Sequence, residues 1–196
     1  YKGDLKCFPD LGTIVFVNVP SIDSYLAGVV RAEGGYGKNI EYLKTQAILA
    51  RTYMYKYFSK HAKDNYNLCD NTHCQAFNGI TNDSLIVRAV KDTEGLVILD
   101  KDSSLIISAF HSNCGGETAS SEDVWLTAQP YLKKVADPWC INSRNARWRK
   151  TLGINEWIAY LKKAGYSAAS VEAAKMNFEQ PTRRYEYVSG NFSIPL

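Results

Sequence analysis

The chain has 196 residues, 45% hydrophobic and 22% charged, with a formal net charge of +3. That is an ordinary globular balance, long enough to bury one sizeable core. The charge is too small to argue for a nucleic-acid partner, which needs a concentrated basic stripe, and no run of about 20 apolar residues is present to span a membrane.

In chain order, Thr13–Val19 (TIVFVNV) is a β-branched run closed by Pro20 and predicts a strand. A helix follows, capped by Ser21 or Asp23, with Ile22, Leu26, Val29 and Val30 on one face, and it stops at Gly34-Gly35. A second helix is predicted from Asn39 to Lys60, its buried stripe being Leu43, Ala47, Ala50, Met54 and Phe58. Asp64–Gly79 is dense in Asn, Asp and Cys and reads as a loop. A third helix spans Ser84–Thr93 and ends before Gly95; Leu96–Leu99 and Leu105–Ile107 predict a hairpin around Asp-Lys-Asp-Ser. His111–Ser121 is a small-residue loop, and Asp123–Arg149 is irregular. Two short helices are predicted at Ile154–Ala164 and Ser167–Met176, then a strand pair over Tyr185–Ile194 turning at Ser189-Gly190. No export leader opens the chain at Tyr1, which reads as a mature or trimmed form.

Three places offer chemistry. Glu33 closes an apolar helical face and precedes two glycines, so its carboxyl can sit at a cleft edge with backbone close by. A partly desolvated carboxyl of that kind is a general acid at neutral pH. The segment Cys69-Asp-Asn-Thr-His73-Cys74, with His61 upstream, is a cluster of the ligands that zinc takes. A Cys69–Cys74 disulfide and two free thiols remain open for the same residues. Neighbours in sequence do not easily reach one ion together, which favours His61 over His73 as the third ligand. Third, His111-Ser-Asn-Cys114-Gly-Gly has the residue types of a Cys/His nucleophile pair but no local signature. The five cysteines are an odd number, so at most four pair internally; the tyrosines and tryptophans suit sugar faces and half-buried surface alike.

Six segments in order, VPSIDSYLAGVVRAE (19–33), LKTQAILARTYMY (43–55), CDNTHCQAFNG (69–79), AVKDTEGLVI (89–98), SAFHSNCGGETASSEDVW (108–125) and PYLKKVADP (130–138), resemble the SpoIID family of sporulation and amidase-enhancer proteins. The resemblance implies an α/β (α+β) SpoIID-like fold with central helices and small sheets forming lobes around a glycan-binding cleft. One domain over 1–196 is expected, its motifs within about 19–138 and a helical and strand extension at 150–196.

It further implies an extracytoplasmic peptidoglycan lytic transglycosylase that cleaves the bond from N-acetylmuramic acid to N-acetylglucosamine, with stem-peptide-stripped strands preferred. The family's acid closes a GVV-x-x-E motif and falls on Glu33; Gly34-Gly35 stand where the family usually has Met-Pro. Carried over by motif, the glycan contacts are Lys44, Gln46, Arg51, Tyr53, Gln75, His111, Ser112 and Tyr131. The resemblance also implies a structural zinc near Cys69 and Cys74, with His61 or His73 as third ligand, and a cell-wall amidase as partner. It argues against a nucleophilic Cys114, since the family commonly has Ser there.

Two carboxylates serve most glycosidases, and Asp23, Glu41, Glu122 and Asp123 have no pattern that selects one as the second. A lytic reaction needs only one, because the muramic 6-hydroxyl is a nucleophile already tethered. The competing readings are a non-catalytic glycan-binding module that enhances an amidase and a cysteine hydrolase using Cys114.

Overall fold

The computed structural model describes residues 3–35, 39–125, 127–143, 149, 151–165, 175–179, 184–189 and 192–195, with side chains described as far as 165. Five α-helices and two small antiparallel sheets give an α+β fold among these residues. They fall into two compact units, Tyr1–Phe110 and His111–Leu196.

The first unit opens with a ribbon of β1 (Asp4–Asp10) and β2 (Thr13–Val19), paired antiparallel from Asp4↔Val19 to Asp10↔Thr13. Its two-residue turn places both Leu11 (φ 44°) and Gly12 (φ 81°) in the left-handed region, which matches the twist of the strands. Strand β1 was missed in the sequence because Pro9 and three charged residues break its period.

Helix α1 (Ile22–Gly34) begins where the Ser21 side chain accepts the Ser24 N–H. It ends at Gly35, whose φ of 74° favours a residue without a Cβ. Helix α2 (Ile40–Lys56) is capped by Asn39, which accepts the Glu41 N–H. It stops short of the predicted Lys60. The Lys60 N–H bonds Tyr57 O in a tighter turn, and the Asn67 side chain takes Phe58 O, so Phe58 leaves the predicted stripe and is exposed. Helix α3 (Ser84–Asp92) is capped by Asp83, which accepts from Leu85 and Ile86 N–H.

These helices pack on each other through Leu26, Ala27, Val29 and Val30 of α1, Leu43, Ala47, Ala50 and Met54 of α2, and Ile86, Ala89 and Val90 of α3. The alanines let the axes approach closely, and removal of the larger side chains from water supplies the main driving force. Around this core, Arg51 of α2 is only 2% exposed. Its guanidinium donates to Val90 O (3.0 Å), Leu96 O (3.2 Å) and Thr93 Oγ1 (3.4 Å), closing the C-terminal carbonyls of α3. Burial pulls its pKa below the ordinary arginine value. Thr52 Oγ1 accepts the Ile98 N–H at 3.0 Å. The predicted hairpin that follows is reduced to one bridge, Leu99↔Leu105, around the Asp100 turn, because α2 side chains take hydrogen bonds that a ladder would otherwise use.

In the second unit, α4 (Ser121–Trp125), a short 3-10 turn at Pro138–Cys140 and α5 (Ile154–Lys163) precede a sheet of β3 (Lys175–Glu179), β4 (Arg184–Ser189) and β5 (Phe192–Pro195) in that order. The predicted terminal pair is present, with Tyr187 opposite Ile194; its turn at Gly190 lies outside the described residues. The predicted helix Ser167–Met176 does not extend to its end, because Lys175 and Met176 already pair with Val188 and Tyr187 in the sheet; 167–174 lie outside the described residues.

Replacing Arg51 with Met keeps the volume and removes the donors, leaving buried carbonyls unpaired. Denaturant unfolding is expected to show a loss of about 1–3 kcal/mol, with a smaller loss for Arg51→Lys.

Candidate functional site

Helix α1 presents Tyr25, Gly28 and Glu33 toward the segment 75–77, and each makes a contact of its own. The Tyr25 hydroxyl donates to Gln75 Oε1 at 3.2 Å, and its ring stacks on Phe77 with centroids 5.4 Å apart. Gly28 is needed for that approach: a Cβ there would lie 2.6 Å from Gly79 O and would collide with the Phe77 ring. The Ala76 N–H then donates to Glu33 Oε1 at 2.9 Å. Glu33 is half-buried, and its Oε2 has no hydrogen bond among the described residues. Burial first, then the nearby thiols, Tyr53 and Glu33, push the Tyr25 phenol well above its ordinary value, so it remains a donor.

The segment 75–77 is fixed from its other end by the loop before it. Asn71 organises that loop: its Oδ1 accepts the His73 N–H at 2.9 Å, and its carbonyl accepts the Cys74 N–H at 3.0 Å. Phe77 N–H returns to Asp70 O at 2.9 Å. Lys60 Nζ donates to His73 O at 2.6 Å, beside the Tyr53 hydroxyl.

Inside this loop the ligand atoms of His61, Cys69, His73 and Cys74 all lie within 4.8 Å of one another. His73 Nδ1 is 3.6 Å from Cys69 Sγ and 3.9 Å from Cys74 Sγ. The tight turn over Asn71 brings both imidazoles, His61 and His73, to the thiols, although His73 and Cys74 are adjacent. His61 pairs Nδ1 with Asp64 Oδ2 at 3.0 Å, while its Nε2 is buried without a hydrogen-bond partner. An orphaned imidazole nitrogen beside two thiols, its ring oriented by a carboxylate, is the arrangement a metal ligand has. The donor set thus fits a soft metal ion.

The remaining sequence candidates fall as follows. Gln46 is buried on α2; a Cβ on Gly34 would lie 3.6 Å from its Cγ, and Gln46 Nε2 has no hydrogen-bond partner. Lys44 pairs with Glu41 at 3.0 Å and Asp92 at 3.7 Å. Arg51 is taken up by the carbonyls at the end of α3. His111, Ser112 and Tyr131 belong to the second unit, the first two exposed and Tyr131 half-buried. Of the carboxyls weighed as a second catalytic group, Glu41 pairs with Lys44 and Glu122 accepts from Lys133 Nζ at 2.6 Å. Sequence reasoning missed Ala76, which contributes only a backbone N–H, and Asp64, whose signal was its place three residues after His61.

Residues 11–99 match the SpoIID family, described as Stage II sporulation protein. Over this stretch the chain is similar to the SpoIID family. It is 33% identical over 177 residues to an uncharacterized protein of Brachyspira hyodysenteriae, covering 90% of this chain and 47% of that protein. It is 36% identical over 116 residues to the Amidase enhancer of Bacillus subtilis, covering 58% and 16%. Against Stage II sporulation protein D of Bacillus amyloliquefaciens the identity is 29% over 156 residues, covering 71% and 45%. The chain thus spans less than half the length of each of these relatives. Glu33, the 75–77 segment and the His/Cys cluster all lie inside the part that matches the SpoIID family, whereas His111, Ser112 and Tyr131 lie beyond it. No helix among the described residues is long and apolar enough to cross a membrane.

A soft divalent metal is expected to bind at one equivalent per chain, measured by elemental analysis after dialysis. Cys69→Ser or His73→Ala should abolish stoichiometric binding, and Asp64→Ala should weaken it by roughly 10–100-fold.

Proposed function

We propose that this chain is a SpoIID-family peptidoglycan lytic transglycosylase with Glu33 as its single acid and base. The observation that carries the reading is the Glu33 carboxyl: half-buried at the end of α1, anchored at Oε1 by the Ala76 N–H, with no hydrogen bond at Oε2 among the described residues. The family match and the relatives named for sporulation and amidase enhancement support a cell-wall setting.

In this reading Oε2 of protonated Glu33 donates to the glycosidic oxygen between N-acetylmuramic acid and N-acetylglucosamine as positive charge develops on the anomeric carbon. The carboxylate then accepts the proton of the muramic 6-hydroxyl. That oxygen attacks the same anomeric carbon and closes a 1,6-anhydro ring, so no water need be activated and no second carboxylate is required. Fixing Oε1 leaves one oxygen for both proton transfers, which suits a group that must act twice at nearly the same place.

The buried Gln46 amide, packed beside Gly34, supplies a donor that a sugar hydroxyl or acetamido oxygen would satisfy. Tyr53 and Gln75 flank Glu33 on the same reading, and Lys44, His111, Ser112 and Tyr131 are proposed as further glycan contacts. Zinc is the proposed occupant of His61, Cys69, His73 and Cys74; its contribution would be structural, tying down the loop that leads to Ala76. The motif-bearing part and the C-terminal extension are read as one domain of 1–196, acting outside the cytoplasm on glycan strands that have lost their stem peptides.

A second reading rests on the relative named Amidase enhancer. In it the same residues grip glycan and the chain stimulates an amidase without cleaving. Mass spectrometry of digested glycan strands separates the two. The catalytic reading expects anhydro-muramic ends from the wild type and a loss of about 10³-fold or more for Glu33→Gln. Retained glycan binding with no product from either protein would favour the enhancer.

A further inference from the structure

The second unit holds a second pair of cysteines that the proposed reaction does not use. Cys114 and Cys140, 26 residues apart in sequence, have their sulfurs 3.1 Å from each other. Two thiolates sharing a tetrahedral zinc with bonds of about 2.3 Å would stand roughly 3.8 Å apart, so the pair is closer than a shared ion would hold it. The surrounding backbone keeps it there. Asn113 Nδ2 donates to Cys140 O at 3.0 Å and to Ser143 Oγ at 2.8 Å. Asp137 N–H bonds Gly116 O at 2.9 Å, and Glu117 and Ala136 form a bridge.

The two sulfurs are in different surroundings. Cys114 N–H donates to Cys140 Sγ at 3.3 Å. Gly115 (φ 72°) and Gly116 (φ 102°) turn the backbone beside the pair, and the Gly115 N–H donates to Asn113 Oδ1 at 2.8 Å. Cys114 Sγ instead faces acceptors, Asp137 Oδ2 at 3.3 Å and Asp137 O at 3.4 Å. No hydrogen bond joins Cys114 to His111 among the described residues.

We infer that Cys114 and Cys140 form a redox-active pair that closes to an intramolecular disulfide by exchange with an external disulfide. Cys140, as thiolate, attacks the external disulfide R–S–S–R, forming Cys140–S–S–R and releasing RS⁻. Cys114 gives its proton to solvent, attacks the Cys140 sulfur and releases the second RS⁻. Two electrons pass to the external disulfide, which ends as two thiols after proton uptake. The shifts of the two groups agree with this order: the side-chain and backbone hydrogen bonds from Cys114 pull Cys140 down, while desolvation and the bond to Cys140 push Cys114 up. Closure staples the loop after His111 to the turn at Pro138–Cys140. The inference stands apart from the glycan reading, since neither its geometry nor its test involves Glu33.

The test equilibrates the whole chain with a small-molecule disulfide, alkylates it under denaturing conditions with a chelator present, and maps peptides without reduction. The expected result is a peptide pair linked through Cys114 and Cys140, lighter by the two hydrogens lost, with Cys7, Cys69 and Cys74 alkylated. Oxidised wild type should also melt about 5–10 °C above reduced wild type, a difference absent from Cys114→Ser/Cys140→Ser, which retains the other three thiols. Should that variant fail to fold, the oxidised and reduced wild type still give both readouts. Full alkylation of Cys114 and Cys140 after oxidation would overturn the inference, as would pairing of either with Cys7. So would a bound metal equivalent that depends on Cys114 and blocks oxidation.

Discussion

The hydrogen bond from Ala76 N–H to Glu33 Oε1 is the constraint on which the first unit's site depends. It joins the end of a core helix to a segment without regular structure, and such a segment has no ladder of its own to hold it. Each group beside it acts to keep the two together. The absent side chain at Gly28 lets Phe77 lie against α1, and the Tyr25 hydroxyl captures Gln75. The core of α1, α2 and α3 in turn holds α1 rigid, so one end of the bond is fixed by close packing. A side chain anchored in this way loses little further freedom on reaching a reactive geometry, which is the physical content of preorganisation.

The other end of the bond is fixed by the loop that carries the His/Cys cluster. Residues 69–74 are a turn built on Asn71, with Lys60 and Asp70 closing its margins. Four ligand atoms converge there, one of them a buried nitrogen with no other partner. A metal ion in such a place substitutes for a hydrophobic core that so short and polar a loop cannot build. On the proposed reading it would contribute no chemistry; it would fix the approach of Ala76 to the acid through Cys74, two residues before it.

Much of this was legible in the sequence, for reasons that differ between residues. Periodicity exposed α1 and α2, because each buries one stripe, with Ser21 or Asp23 offered as the cap of α1 and Asn39 as the start of α2. Glu33 was legible through its motif, and Cys69 and Cys74 through ligand chemistry. The rest turned on tertiary contacts that a linear pattern does not encode. Arg51 falls in a motif with other polar residues, yet its guanidinium is consumed by the carbonyls of Val90 in α3 and Leu96 beyond it. Adjacency to Cys74 favoured His61 over His73 as third ligand, and the Asn71 turn brings His73 to the thiols as well. Pro9 hid β1, and the pairing of Lys175 and Met176 with β4 overrode a helical pattern. The contact between Cys114 and Cys140 spans residues with no shared motif, so no spacing rule announces it.

The central claim is that one carboxyl, positioned by this bond, cleaves glycan with a tethered hydroxyl rather than with water. Digestion of peptide-stripped glycan in heavy-oxygen water tests it most directly. The account predicts muramic ends that carry no solvent oxygen and have lost the elements of water relative to a hydrolysed end. Incorporation of one heavy oxygen at each new end would contradict it, because a water molecule would then have been activated by a second group.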